Sequence, residues 1–109
     1  MKQLKVLLCC GAGFSSGFLA QKTRKAAKKR KIDINIEARS ESVVSEYVNQ
    51  IDILLIGPHY ESALGRMKEL CDPHGVIASL IPEDIYASLD GDKLLDLILT
   101  LSKEENADE

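Results

Sequence analysis

Residues 4–17 read LKVLLCCGAGFSSG, an apolar run that passes directly into a loop of glycines and serines. A continuous apolar run ended by Gly11 predicts a β-strand that is buried on both faces. The segment after it predicts a tight turn that opens a helix, with Ser15 or Ser16 as the helix cap. A strand, a glycine turn and a helix in this order are typical of the first unit of a parallel α/β sheet.

The same alternation continues along the chain. Three more apolar runs predict strands over 32–38, 51–56 and 76–81. Amphipathic stretches between them predict helices ending near Lys31, around 43–48, over 61–71, over 82–86 and over 89–101. The pattern predicts a three-layer α/β fold, a four-stranded parallel open sheet of order 2-1-3-4 with helices on both faces. We expect one domain over residues 1–103 and a flexible acidic tail over 104–109.

Composition narrows the function class. The 109 residues carry a net charge of −3, so no overall basic charge points to nucleic acid as a partner. No segment approaches the roughly 20 apolar residues of a membrane helix, so direct membrane insertion is not expected. Three cysteines, two of them adjacent, do not form a disulfide framework and indicate reduced thiols in the cytoplasm.

The candidate site lies where the first and third strands end. Ligands of open α/β sheets bind at the carboxyl ends of strands, where the strand order reverses. We therefore expect residues 10–17 to face Gly57, Pro58 and His59 across a crevice. Glycine backbone and a helix N-terminus favour a bound anion, which predicts a phosphate site. The loop residues of this site are Gly11, Ala12, Gly13, Phe14, Ser15 and Ser16, with Gly17, Pro58 and His59 around them.

Cys10 is the candidate nucleophile of this loop. A free cysteine has a pKa of about 8.5, and a helix N-terminus lowers it by about one unit. Cys9 should face the opposite side of the sheet, because neighbouring strand residues alternate. Cys71 is interpreted as half-buried packing at a helix end. Asp72-Pro73 resembles the acid of thiol phosphatases but is interpreted more simply as a helix stop. No metal and no cofactor are expected.

Two alternatives remain open on the residues alone. Low-molecular-weight tyrosine phosphatases place a cysteine at the end of the first strand, with an arginine six positions later; here that position is Ser16. If this chain were a thiol phosphatase or an arsenate reductase-like enzyme, it would lack the guanidinium that stabilises the transition state of hydrolysis. A phosphate-binding regulatory module is the non-enzymatic alternative. A receiver domain needs an acidic residue at the end of the third strand, whereas Asp52 lies at the opposite end of the predicted strand.

Two stretches resemble a known family. KVLLCCGAGFSSGFLAQK (5–22) and IDILLIGPHYESAL (51–64) resemble enzyme IIB of the lactose/cellobiose (chitobiose) family of the phosphoenolpyruvate:sugar phosphotransferase system. The resemblance implies a phosphatase-like fold in which Cys10 accepts a phosphoryl group from a phosphohistidine of enzyme IIA. It implies transfer to a cellobiose- or chitobiose-type sugar bound by the membrane permease, enzyme IIC. Many relatives have a hydroxyl residue where this chain has Gly17. The implied location is the cytoplasm, next to the permease.

One feature is independent of this resemblance. Seven lysines and arginines crowd residues 22–31. This basic stretch has no interleaved aromatic residues, which argues against nucleic-acid binding. It is interpreted either as a solvated helix face or as a docking surface for an acidic partner protein.

Overall fold

The predicted strands form one parallel sheet in the structure, a computed structural model that describes residues 4–9, 14–39 and 43–107, excluding the side chains of 14–16, 59–60 and 103–107. The strands are β1 (Leu4–Cys9), β2 (Ile34–Arg39), β3 (Ile53–Ile56) and β4 (Ile77–Leu80). They lie in the order β2-β1-β3-β4, and every neighbouring pair is parallel. The predicted order 2-1-3-4 is confirmed.

Five α-helices in the described part of the chain flank the sheet. They are α1 (Phe14–Lys29), α2 (Val44–Tyr47), α3 (Leu64–Cys71), α4 (Glu83–Ser88) and α5 (Gly91–Ala107). Two 3₁₀ turns, Pro58–Ala63 and Asp72–His74, precede and follow α3. No helix in the described part of the chain is long and apolar enough to cross a membrane.

The sheet is buried on both faces, as the apolar runs predict. On one face Val6 and Leu8 pack with Leu19 of α1 and Leu94 of α5. On the other face, Leu7 and Cys9 belong to a cluster that α2 and α3 complete. All four residues of β3 are 0% exposed. This burial on two sides explains why the central strands read as continuous apolar runs.

Several element ends differ from the sequence prediction. α1 begins at Phe14, so Ser15 and Ser16 lie in its first turn and the predicted serine cap is wrong. It ends at Lys29, because Lys31 has a positive φ of 57° and cannot continue a helix. α5 extends to Ala107, six residues past the predicted end at Leu101. The added residues include Lys, Glu and Ala, which are strong helix formers, and no Gly or Pro stops them.

α1 and α5 approach closely at Gly91. A Cβ at this position would lie 2.5 Å from the carbonyl carbon of Lys22 and 2.7 Å from the amide nitrogen of Thr23. Only a residue without a side chain allows this distance between the two helices. About one turn further along α1, Ala26 and Ala27 pack against Leu95 of α5.

Candidate functional site

The carboxyl ends of β1 and β3 lie side by side. Cys9 pairs with Ile56 in the register of the two strands, and the amide of Gly57 donates a hydrogen bond to the carbonyl of Cys9 at 2.8 Å. The chain leaves β1 toward β2 on one side and leaves β3 toward β4 on the other. The strand order therefore reverses between β1 and β3, at the point where open α/β sheets bind ligands.

The predicted nucleophile and most of its loop connect β1 to α1. Cys10, Gly11, Ala12 and Gly13 lie outside the described residues. The segments on both sides of them are described: β1 ends at Cys9 on the reversal point, and α1 begins at Phe14. The described part of β1 therefore ends at the reversal point, and four residues separate it from the first residue of α1.

The beginning of α1 is suited to an anion. The helix has 16 residues, and its first turn contains no acidic residue. The amide groups of a first helical turn lack partners within the helix, and the helix dipole is positive at this end. No acidic residue of this first turn competes for these donors, so a phosphate can accept hydrogen bonds from them.

The structure places the residues predicted around the loop as follows. Gly17 lies in α1, and a Cβ added to it would meet nothing within 4 Å, so the position has room for a larger residue. Pro58 is half-buried and opens the 3₁₀ turn directly after β3. His59 follows it in the backbone of this turn. The side chains of His59, Phe14, Ser15 and Ser16 lie outside the described residues.

Cys9 is not available as a nucleophile. Its side chain is 1% exposed and packs on the face of the sheet that α2 and α3 cover. The helix α1 lies on the opposite face, with Leu19 and Ala20. The predicted separation of Cys9 from the loop side of the sheet is consistent with this burial.

Cys71 is also excluded. It is fully buried rather than half-buried as predicted, because it ends α3 against the sheet. Burial, and secondarily the charge of Asp72, raises the pKa of its thiol to about 11. At neutral pH it therefore carries almost no thiolate, which is the reactive form.

The two acidic residues considered for a phosphatase and for a receiver domain, Asp72 and Asp52, both lie away from the candidate site. Asp72 lies in the 3₁₀ turn after α3, which leads into the start of β4 at the amino edge of the sheet. Asp52 precedes β3, and its carboxylate accepts a hydrogen bond from the amide of Lys5 at 2.9 Å. Neither carboxylate lies at the carboxyl edge, so neither can act as a phosphatase acid or as a receiver aspartate there.

Arg39 is a residue of this edge that sequence reasoning missed. It is the last residue of β2 and pairs with Cys9 in the register of the sheet. Its guanidinium donates to the Tyr47 hydroxyl at 3.4 Å and to Glu37, and lies 5.8 Å from the centre of the Tyr47 ring. The hydrogen bond to Tyr47, followed by the charge of Glu37, raises the pKa of Arg39.

The backbone of Arg39 lies beside the end of β1, while its guanidinium is ion-paired with Glu37 and packs against Tyr47. The predicted β2 ended at Ala38, one residue too early, so the strand-end position of Arg39 was not apparent. Alternation in β2 is the signal that could have found it: Asn35, Glu37 and Arg39 share the face that α2 borders. Among the described residues, no group of His, Cys, Asp and Glu side chains is arranged to hold a metal ion.

Comparison with known proteins gives a consistent result. The sequence profile of the family described as PTS system, Lactose/Cellobiose specific IIB subunit, matches residues 5–97. The PTS system galactose-specific EIIB component of Lactococcus lactis subsp. cremoris is 30% identical over 95 residues, which cover 83% of this chain and 88% of that protein.

Two further matches agree with it. The PTS system lactose-specific EIICB component of Lacticaseibacillus casei is 26% identical over 88% of this chain, which spans only 17% of that longer protein. The solution structure of the cellobiose-specific phosphotransferase IIB component of Borrelia burgdorferi superposes with a TM-score of 0.79 at 32% identity. This match covers 95% of each chain.

Proposed function

The chain belongs to the lactose/cellobiose-specific IIB subunits of the phosphotransferase system, and we propose that Cys10 is the residue through which it passes a phosphoryl group toward a sugar. A IIB subunit is a phosphoryl carrier and thus a phosphotransferase. The alternatives of a thiol phosphatase and of a regulatory module are not favoured.

One observation carries the assignment of Cys10. The four residues that begin with Cys10 join the end of β1, at the reversal of strand order, to the start of a helix without acidic residues in its first turn. The other two cysteines are buried, at 1% and 0% exposure. Cys10 is thus the cysteine whose place in the chain combines a ligand-binding edge with an anion-binding helix end.

The proposed chemistry consists of two in-line transfers. The Cys10 thiolate attacks the phosphorus of a phosphohistidine on IIA; an S–P bond forms, the P–N bond breaks, and the imidazole nitrogen keeps the electron pair. A sugar hydroxyl then attacks the same phosphorus, an O–P bond forms, the S–P bond breaks with the sulfur leaving as thiolate, and the hydroxyl proton passes to water. Backbone amides at residues 11–16 would stabilise the equatorial phosphate oxygens in both steps.

The residue at position 16 suits a carrier. A phosphatase uses an arginine there, and this chain has Ser16. We infer that phosphate on Cys10 is held by backbone donors without a guanidinium that favours hydrolysis. Asp72, the nearest counterpart of a phosphatase acid, lies at the opposite edge of the sheet. The phosphorylated cysteine should therefore persist until an acceptor sugar arrives.

The partners follow from the family. IIB subunits work with IIA and IIC components, and the Lacticaseibacillus casei relative is named as a joined EIICB component. We propose that this chain takes its phosphoryl group from IIA and passes it, on the cytoplasmic side of the membrane, to a sugar bound by IIC. A β-disaccharide of the cellobiose or chitobiose type is the proposed acceptor.

The test is phosphate incorporation measured by intact mass. The chain is incubated with phosphoenolpyruvate, the general phosphotransferase proteins and a IIA protein of the same family. One phosphoryl group should appear on the wild-type protein and on Cys9→Ser and Cys71→Ser, and none on Cys10→Ser. Labelling that survives in Cys10→Ser contradicts the assignment. Rapid hydrolysis of an aryl phosphate by the wild-type chain would instead favour a phosphatase.

A further inference from the structure

A cleft lined by lysines lies between α1 and the start of α5. Its volume is about 600 Å³. Ala26 and Leu89 supply apolar surface, and Gly91 holds the two helices in close contact at one end. The basic residues of the cleft are Lys22, Lys25, Lys28 and Lys29.

The four lysines are not neutralised within the described part of the chain. All four are exposed, and no carboxylate of the described residues forms a salt bridge with any of them. Lys22, Lys25 and Lys28 follow each other at spacings of three residues and Lys29 lies four residues after Lys25, spacings at which like charges on a helix repel. Lys28 and Lys29 complement the negative end of the helix dipole in the last turn of α1, but no ion pair among the described residues relieves the repulsion between the four charges.

The two carboxylates at the cleft are engaged elsewhere. Asp90 accepts the amide of Lys93 at 3.0 Å and so caps the start of α5. Asp92 lies 3.5 Å from the guanidinium of Arg30, which also pairs with Asp96 at 2.7 Å. Each carboxylate makes its hydrogen bond or ion pair with another group, so neither forms a salt bridge with a lysine of the cleft. The lysines therefore remain able to pair with carboxylates from outside.

The cleft is separate from the phosphoryl site but shares its helix. Lys22 and Lys29 follow the first residue of α1 by 8 and 15 positions, about 12 and 22 Å along the axis at 1.5 Å per residue. Phe18 lies between the cleft and the beginning of the helix and is 58% exposed; among the described residues it is the large apolar side chain that the fold leaves exposed. A spacing of four residues places Phe18 and Lys22 on one side of α1.

We propose that the lysine cleft and Phe18 form a docking surface for an acidic face of the soluble phosphoryl donor, IIA; this inference rests on the proposed function. A donor must cover the carboxyl edge where α1 begins, and a protein that does so can continue along the exposed side of the same helix. Phe18 supplies an apolar contact and the lysines supply long-range attraction, which chiefly accelerates association.

The charge and shape of the cleft favour a soluble acidic partner over the membrane. Cytoplasmic loops of membrane proteins carry an excess of lysine and arginine, so the cytoplasmic face of a permease would repel these lysines. A lipid surface is anionic, but it is flat, and the apolar surface at Ala26 and Leu89 lies within a concave cleft. A protruding acidic segment of a protein can reach both the lysines and this apolar surface.

The test compares transfer kinetics of two matched charge reversals. Initial rates of phosphoryl transfer from IIA are measured for Lys25→Glu, in the cleft, and for Lys68→Glu, an exposed position on α3 across the sheet. A reversal of one charge facing a carboxylate about 8 Å away should raise KM about fivefold at low salt. At 0.5 M salt the difference should shrink to less than about twofold, because exposed charges are screened.

Other variants separate docking from folding and from chemistry. The value of kcat should stay unchanged in Lys25→Glu, because the lysine does not contact the reacting atoms. Lys68→Glu should change neither KM nor kcat. Lys25→Gln, which keeps the helix and removes one charge, should raise KM about twofold. Phe18→Ala should raise KM at both salt concentrations, since an apolar contact is not screened.

The outcomes that overturn the proposal differ from those that overturn the function. A wild-type chain that accepts phosphate, together with a Lys25→Glu chain of unchanged KM, removes the docking surface and leaves the function intact. Binding of the wild type, but not of Lys25→Glu, to vesicles of phosphatidylglycerol and phosphatidylcholine with unchanged KM would assign the cleft to the membrane instead. A wild-type chain that accepts no phosphate from IIA overturns both.

Discussion

Replacing Gly91 with alanine should destabilise the protein, although alanine is the better helix former. The added Cβ would lie 2.5 Å from the carbonyl carbon, 2.6 Å from the carbonyl oxygen of Lys22 and 2.7 Å from the amide nitrogen of Thr23. These are backbone atoms of α1, so no side-chain rotation relieves the overlap. To restore van der Waals distances, α5 would have to move away from α1 by about 1 Å, against a tightly packed interior.

The expected loss can be worked out from opposing effects. Forcing extra atoms into a packed contact costs about 1–3 kcal/mol. The gain in helix propensity is at most about 1 kcal/mol and is smaller at Gly91, the first residue of α5. Separation of the helices would also loosen the contact of Ala26 and Ala27 with Leu95. We expect Gly91→Ala to lower the free energy of unfolding by about 1–2 kcal/mol, and Tm by about 5–12 °C.

Gly65→Ala is the matched control. Gly65 lies in α3, is exposed, and a Cβ there meets nothing within 4 Å. This substitution should leave the free energy of unfolding unchanged or raise it by up to about 1 kcal/mol. Urea unfolding followed by circular dichroism measures both variants. A Gly91→Ala protein as stable as the wild type, or equal losses in both variants, would refute the argument that the backbone contact requires glycine.

Three further substitutions probe the core, a buried thiol and a strand start. Leu55 is 0% exposed in the central strand β3, and Leu55→Ala should lower the free energy of unfolding by about 2–5 kcal/mol in a urea titration. Leu101 is only half-buried, and Leu101→Ala should lower the free energy of unfolding by clearly less in the same titration. The pKa of Cys71 rises from 9.0 to about 11 on folding, so the buried thiol stabilises the protein fully below pH 9. This contribution, up to about 2 kcal/mol in the free energy of unfolding, is lost as the pH rises through 11. Unfolding measured at pH 8 and at pH 11 should show the loss in the wild type and not in Cys71→Ala. Asp52→Ala removes the acceptor of the Lys5 amide and should cost about 1 kcal/mol by thermal unfolding, with an unchanged Tm contradicting it.

Much of the fold could be predicted because local patterns and tertiary burial agree. Residues 53–56 form an uninterrupted apolar run, and in the structure these side chains are completely buried from both sides. Element ends were less predictable, since they depend on single residues. The positive φ of Lys31 ends α1 early, and no glycine or proline in the sequence signals that end.

The candidate site could be predicted in part for the same reason. The neighbouring ends of β1 and β3 follow from the strand order, and the structure places them side by side, with α1 beginning five residues after the end of β1. The assignment of Cys10 and its loop remains a prediction, which phosphate labelling tests. Arg39 escaped sequence reasoning because the predicted strand ended at Ala38, and because its proximity to β1 depends on the register between β1 and β2.

The sequence by itself determined the class of fold, the family and the candidate nucleophile, because strands buried on both faces and a glycine loop before a helix leave direct traces in residue order. Only the tertiary structure decided which cysteines are inaccessible and which acidic residues lie at the wrong edge. It alone showed that the basic stretch of α1 borders a cleft against α5. These properties arise from contacts between residues far apart in the chain, such as Lys22 and Gly91. Their distance in space is set by packing rather than by sequence separation.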